Sequence, residues 1–166
     1  MLKRTPLYAA HQKLGARLVE FGGWEMPVQY SSIIDEHLAV RKAAGLFDIA
    51  HMGEVLVDGP QAETFLNYVL TNDLRKLAPG QGQYTILCNE RGGALDDLYA
   101  YRTGPEEYLL IINASRIGPD LVWLEKQLDR WQQKADANWA RWRSKGRASP
   151  NSSINVFPAR ARAEQG

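Results

Sequence analysis

The sequence predicts an α+β fold in which helices flank an antiparallel sheet. Three segments with strand-like alternation, residues 83–88, 94–102 and 107–113, follow one another with only short, turn-forming connections between them. Short connections join antiparallel neighbours, whereas parallel strands need a long crossover segment. The 166 residues, 45% of them hydrophobic, are enough for one ordinary domain with a core. We therefore expect runs of helices and hairpins and no doubly wound parallel sheet.

The first third of the chain is predicted to hold two helices, a strand and a loop. Residues 5–15 begin with Thr-Pro and end with Gly, which is typical of the two ends of a short helix. A strand is expected over residues 17–21 and a glycine-rich loop over residues 22–27. A capping-box-like start at Ser32 predicts a second helix that runs through Ala44.

Strand signals dominate the middle of the chain. Residues 46–49 and 54–57 alternate and are predicted to pair with each other as a hairpin. The Gly-Pro pair at 59–60 opens an amphipathic helix, whose apolar face is formed by Ala62, Phe65, Leu66 and Val69. Residues 89–93 contain two glycines and are expected to join two of the later strands as a tight hairpin loop. A last helix is predicted over residues 119–128.

Charge and composition divide the chain near residue 130. Residues 1–129 hold 12 basic and 17 acidic side chains, whereas residues 130–166 hold 8 basic and 2 acidic ones. Only Ile154 and Val156 represent the Ile, Leu and Val class in that second part, too few to order it through a core. We therefore predict a domain over residues 1–130 and a non-homologous, disordered tail over residues 131–166. A basic RNA-binding tail is the alternative, but its cations are interleaved with Ala, Pro and Ser and do not form a face with stacking aromatics.

Several classes of protein do not fit this composition. No stretch approaches the ~20 apolar residues of a membrane span, and the amino terminus has no apolar signal region. Cys88 is the single cysteine, and His11, His37 and His51 lack metal-ligand spacing. His51 beside Met52 could line a pocket, although a lone histidine is more often structural. We expect a cytoplasmic protein without metal, membrane or nucleic-acid partners.

Two adjacent aspartates, Asp96 and Asp97, lie inside a predicted strand, where aspartate is disfavoured. Strand neighbours face opposite ways, so the pair is not a two-carboxylate acid/base site. The alternation places Asp97 with Leu95, Tyr99 and Tyr101 on one face, where a carboxylate among tyrosines could bind the N–H groups of a flat heterocycle. The alternative is that one aspartate is a solvated edge charge and the other makes a turn-related hydrogen bond to the backbone.

Short motifs occur in an order and spacing that resemble a known family. They are Arg4-Thr5-Pro6-Leu7-Tyr8, Phe21-Gly22-Gly23-Trp24-Glu25-Met26-Pro27, Arg41, Gly45-Leu46-Phe47-Asp48-Ile49-Ala50-His51-Met52-Gly53-Glu54, Thr71-Asn72-Asp73, Tyr84, Cys88-Asn89, Gly92-Gly93, Asp96-Asp97-Leu98 and Ile112-Asn113-Ala114. This set resembles the amino-terminal part of the T-protein family of the glycine cleavage system, the aminomethyltransferases. The resemblance runs from Arg4 to about Leu128.

The resemblance implies a reaction, its partners and a site. The family transfers a methylene carbon from the aminomethyl-lipoyl arm of the lipoylated H-protein to tetrahydrofolate and releases ammonia. Asp97 matches the family's catalytic carboxylate, and the positions that line or approach the folate cavity are Met52, Tyr84, Tyr99 and Asn113. The alternative is a non-catalytic folate-binding relative, of the iron-sulfur assembly type or the dehydrogenase-associated type.

The chain departs from the family after about residue 131. Family members are more than twice as long, and their later part supplies a glutamate, an arginine and tyrosines that hold the folate. Read in a neighbouring frame, the codons for residues 141–147 permit Ala-Leu-Ala-Val-Gln-Gly-Pro, which the family expects there. We therefore expect a truncated or frameshifted, inactive fragment.

Overall fold

The secondary structure confirms the α+β class, with antiparallel sheets and flanking helices. The computed structural model describes the backbone of residues 1–134 and 141–144 and the side chains of residues 1–131. The chain divides into two units, residues 1–51 and residues 52–147 as far as they are described. Each unit has its own sheet.

The first unit contains a β-hairpin and two helices. Its elements are α1 (Tyr8–Lys13), β1 (Arg17–Phe21), β2 (Trp24–Gln29) and α2 (Ile33–Lys42). The loop predicted over residues 22–27 is wrong, because β2 begins at Trp24 and pairs antiparallel with β1. Gly22 and Gly23 have φ angles of 58° and 85°, so both occupy the left-handed region that a two-residue hairpin turn needs.

The helix ends of the first unit follow the capping signals. α1 begins at Tyr8, after the Thr-Pro pair, and Gly15 follows it with a φ of 74°, as in a left-handed helix cap. Ser32 is the N-cap of α2, and its hydroxyl accepts a hydrogen bond from the Asp35 N–H at 3.1 Å. α2 ends at Lys42, two residues earlier than predicted.

The predicted pairing of residues 46–49 with residues 54–57 is wrong. Residues 46–49 form no strand, and β3 (Gly53–Asp58) pairs with strands from later in the chain. The Asp48 carboxylate accepts a hydrogen bond from the Ala50 N–H at 2.9 Å. Such a local side-chain bond offers the backbone an alternative to a sheet ladder.

The second unit is built on a five-stranded antiparallel sheet. Its strand order is β4-β5-β6-β3-β7, in which the remaining strands are β4 (Gly82–Cys88), β5 (Ala94–Gly104), β6 (Glu107–Ile112) and β7 (Arg141–Ser144). The three predicted consecutive strands are confirmed within two residues at each end. β5 lies inside the sheet, between β4 and β6.

Helices cover one face of this sheet. α3 (Ala62–Val69) and α4 (Ile117–Lys134) contribute to a core with the buried side of the strands. All four residues of the predicted apolar face of α3 are buried, and a short 3-10 turn (Leu74–Lys76) follows. α4 runs six residues beyond its predicted end at residue 128, because Leu124 and Leu128 pack in the core and Trp131 packs against it.

The predicted boundary at residue 130 falls inside α4, and β7 falls inside the predicted tail. β7 pairs with β3, with Trp142 opposite Val57 and Ser144 opposite Val55. Residues 135–140 and 145–166 lie outside the described residues, so the disordered tail stays a prediction there. No helix of the described part is long and apolar enough to cross a membrane.

Candidate functional site

The two aspartates of β5 point to opposite faces of the sheet, as the alternation predicts. Asp96 is buried with Leu98 and Ala100 on the side that the helices cover, whereas Asp97 is exposed with Tyr99 on the other side. Asp97 is therefore solvated, as the alternative interpretation expects, although β5 lies between β4 and β6 and is not an edge strand of the sheet. Asp96 accepts a backbone hydrogen bond, but from Asn113 beyond the end of β6 and not within a turn.

The Asp97 side chain is held by two predicted site residues. The Tyr84 hydroxyl donates a hydrogen bond to Oδ2 at 2.5 Å, and the Asn113 side-chain amide lies 3.3 Å from Oδ1. The hydrogen bond to Asp97, together with burial, raises the pKa of Tyr84 above its ordinary value of 10.0. Tyr84 therefore stays a donor, which directs the carboxylate of Asp97.

The rings of two tyrosines from β5 pack over Gly82 of the neighbouring strand β4. The rings of Tyr99 and Tyr101 are 4.7 Å apart between centroids, and the Tyr99 hydroxyl donates to the Gly82 carbonyl at 3.3 Å. A Cβ at Gly82 would lie 2.5 Å from the Tyr101 ring and 2.6 Å from the Tyr99 ring. The site therefore needs glycine here, a residue that the sequence analysis missed. The signal was available, since a glycine in a strand often marks a close approach.

Asn113 connects the two aspartates through one amide group. Its Nδ2 donates to the Asp96 Oδ1 at 3.0 Å and to the Asp97 carbonyl at 2.9 Å. The Asn113 backbone N–H also points to Asp96, at 3.3 Å. Asn113 is thereby placed by the buried aspartate and in turn places the exposed one.

Met52 and Tyr99 lie outside this hydrogen-bonded group. Tyr99 is opposite Tyr84 in the ladder of β4 and β5. Met52 is half-buried and directly precedes Gly53, which pairs with Ile112. Met52, just before β3, and Asn113, just after β6, therefore lie at the same end of the β3–β6 ladder.

Two histidines of the first unit, His11 and His51, are buried among structural contacts. His51 is buried with its ring edge-on to Phe21 and Trp24, and burial lowers its pKa although the Asp48 carboxylate acts in the opposite direction. The His11 Nε2 lies 2.8 Å from the Asp48 carboxylate, a contact that the sequence analysis missed. Within the described part of the chain, no three or more His, Cys, Asp or Glu side chains form a group that could hold a metal ion.

The charge of Asp48 is stabilised inside the first unit. Burial raises its pKa, but the nearby Thr5 hydroxyl and the hydrogen bonds from His11 and the Ala50 N–H outweigh burial and leave that pKa below its ordinary value of 3.8. The Tyr30 hydroxyl lies 2.7 Å from the other ring nitrogen of His11. This buried group fixes α1 to the segment before β3.

Comparisons with known proteins agree with this architecture. The aminomethyltransferase of Thermus thermophilus is 55% identical over 124 residues, which cover 75% of this chain and 36% of that protein. The aminomethyltransferase of Geobacillus thermodenitrificans is 53% identical over 129 residues, covering 78% of this chain and 35% of that protein. The chain thus spans about a third of the length of these curated relatives.

A solved structure and a family model extend the comparison. The glycine cleavage system aminomethyltransferase T from Bartonella henselae superposes with a TM-score of 0.74 at 40% identity, covering 87% of this chain and 38% of that one. The model of the GCVT N-terminal domain matches residues 7–148, beyond the expected end of the resemblance near residue 128. Because that match includes most of the chain, the protein belongs to the GCVT N-terminal domain family of aminomethyltransferases.

Proposed function

We propose that this chain is the folate-facing part of a tetrahydrofolate-dependent aminomethyltransferase of the glycine cleavage system, acting in the cytoplasm. The observation that carries the proposal is the exposed Asp97 carboxylate, held by Tyr84 and Asn113 beside two tyrosine rings. The partners would be the lipoylated H-protein, which brings the aminomethyl group, and tetrahydrofolate, which accepts its carbon.

The transfer reaction needs a group that assists proton movement, and Asp97 can serve as that group. The carbon–sulfur bond to the lipoyl arm breaks, two folate nitrogens bond to the methylene carbon, ammonia leaves, and the sulfur ends as a thiol. A nitrogen that attacks the carbon must lose its proton, and Asp97 can accept a hydrogen bond from that N–H and assist the proton movement. Its negative charge also favours the positive charge that develops on the carbon as sulfur departs.

The surrounding face fits a flat heterocycle. Tyr84 is 53% exposed and Tyr99 36% exposed, so their rings are open to a ligand. Aromatic side chains offer flat apolar area as well as hydroxyl groups for hydrogen bonds. Met52 would border this surface at the end of the β3–β6 ladder. The proposed reaction uses no metal ion.

Residues 1–166 alone are proposed to be inactive. The matched segment covers 36% of the Thermus relative. The family resemblance assigns the glutamate, arginine and tyrosines that hold the folate to the later part of the enzyme. Turnover should therefore be measured after residues 1–131 replace the matching segment of that relative.

The graft should transfer the methylene carbon from aminomethylated H-protein to tetrahydrofolate. Asp97→Asn should lower the rate by about a hundredfold or more, the scale expected for loss of a placed acid/base group, while folate binding weakens far less. Asp129→Asn, which changes an exposed aspartate of α4, is the matched control and should keep the parent rate. A folded graft that binds folate without transfer would favour the non-catalytic relative, and an Asp97→Asn graft of normal rate would refute the role of Asp97.

A further inference from the structure

A second carboxyl group lies in the core beneath the proposed catalytic face. Asp120, one turn into α4, is only 1% exposed, and its side chain accepts no hydrogen bond from the residues that the structure describes. The charged groups that act on it are the Asp96 carboxylate of β5 and the guanidinium of Arg116, which directly precedes α4, 3.6 Å away. Burial, reinforced by Asp96 and opposed by Arg116, raises the pKa of Asp120 to about 7.

The carboxyl groups of Asp96 and Asp120 can share one proton. When ionised, each carboxylate can only accept hydrogen bonds, so two facing carboxylates repel each other. With one proton between them, the Asp120 O–H can donate to Asp96, a hydrogen bond that contributes to the raised pKa of Asp120, and the pair then carries a single negative charge. Asp96 is 9% exposed and has the Asn113 amide and backbone N–H as further donors.

We propose that Asp120 is a positioning residue for the transfer reaction: its protonated carboxyl donates a hydrogen bond to Asp96 and thereby holds Asn113 against Asp97. This inference rests on the proposed function, because its role is to place the catalytic carboxylate. The geometry supplies each link after Asp96. The Asn113 Nδ2 lies 3.0 Å from the Asp96 Oδ1, 2.9 Å from the Asp97 carbonyl and 3.3 Å from the Asp97 Oδ1.

Loss of the Asp120 proton should disturb this chain of hydrogen bonds. Two negative charges would then repel each other in the core, and Arg116, just before α4, is paired with Asp120 alone among the described residues. Asp96 would move away from Asp120 or turn, and Asn113 bonds it through both its backbone and its side chain. The contacts of Asp97 should therefore follow the protonation of Asp120.

The experiment is a carbon-detected NMR titration of the 166-residue chain with ¹³C-labelled aspartate, from about pH 4 to 9. We expect the Asp120 carboxyl to titrate near pH 7. The side-chain NH₂ signals of Asn113 should shift with the same midpoint, which a merely structural Asp120 would not cause. Asp96→Asn should lower that midpoint by about one pH unit or more, whereas Asp129→Asn should leave it unchanged.

Two results would overturn the inference: an Asp120 carboxyl that titrates near its ordinary value of 3.8, or Asn113 signals that ignore its titration. The wild-type chain alone provides both readouts, so a variant that fails to fold does not block the test. Neither folate nor H-protein is needed, so failure here leaves the proposed transfer reaction standing. Conversely, a graft without transfer activity would refute that reaction while the titration still reported on the carboxyl pair.

Discussion

Replacing Asp120 with asparagine should change how the stability of the chain depends on pH. The pKa of Asp120 rises from 3.8 to about 7 on folding, so the folded state holds a proton that the unfolded chain releases between these values. Stability falls with rising pH wherever the folded state binds more protons. The contribution of Asp120 is therefore fully present below about pH 4 and is lost as the pH rises through 7.

The size of this loss follows from the shift. Each pKa unit corresponds to about 1.4 kcal/mol, so a change from 3.8 to about 7 sets an upper bound of about 4 kcal/mol. Relaxation and water around the charged group reduce this, and we expect about 2 kcal/mol. Asparagine is uncharged at every pH, and its amide can donate to Asp96. Asp120→Asn should match the wild type near pH 4 and be more stable by about 2 kcal/mol above pH 7.

Urea unfolding at a series of pH values tests this expectation. Trp123 and Trp131 pack against the core of the second unit, so their fluorescence reports on the unfolding of that unit. The difference between variant and wild type isolates Asp120 from other titrating groups, and Asp129→Asn controls for the loss of an exposed aspartate. A difference that stays constant with pH, or a variant less stable than the wild type above pH 7, would refute the reasoning.

Three further predictions concern other parts of the chain. Gly82→Ala should displace the rings of Tyr99 and Tyr101, because the new Cβ would lie 2.5 Å from Tyr101. The affinity of the graft for folate, measured by calorimetry, should then fall by about tenfold while the fold is retained. Tyr108→Phe should lower the free energy of unfolding by about 1–2 kcal/mol, because the buried hydroxyl donates to Glu63 at 3.1 Å; unchanged urea curves would contradict this. Resequencing codons 125–145 should restore a family-like frame, and confirmation of the present codons would reject the frameshift hypothesis.

The strands β4 to β6 could be predicted because their signals are local. Each strand carries its own alternation, and the connection between β4 and β5 contains Gly92, which has a φ of 79°. Residues that turn the chain and residues that form the strands are therefore neighbours in sequence. The same holds for α2, whose start is determined by Ser32 and Asp35.

The partner of β3 could not be predicted in this way. Its residue Gly53 pairs with Ile112, and many other segments lie between them in the chain. Alternation shows that a segment can be a strand and which side is apolar, but it does not identify the neighbour. The nearest alternating segment, residues 46–49, was therefore a reasonable but wrong choice.

Asp96 and Asp97 show both what local sequence signals can predict and what depends on contacts between distant segments. Their opposite directions follow from strand geometry alone, so the sequence was sufficient to separate an exposed from a buried carboxylate. The burial of Asp120 near Asp96 depends on where α4 starts after β6 and how it packs on the sheet, which no local pattern encodes. The two neighbouring aspartates thus have different roles. Asp97 presents its carboxylate to solvent. The Asp96 carboxylate can lie in the core because Asn113 donates a hydrogen bond to it and Asp120 can stay protonated. A substitution at Asp96 should therefore change the hydrogen bonds that Asn113 makes to Asp97, even though the two aspartate side chains lie on opposite faces of the sheet.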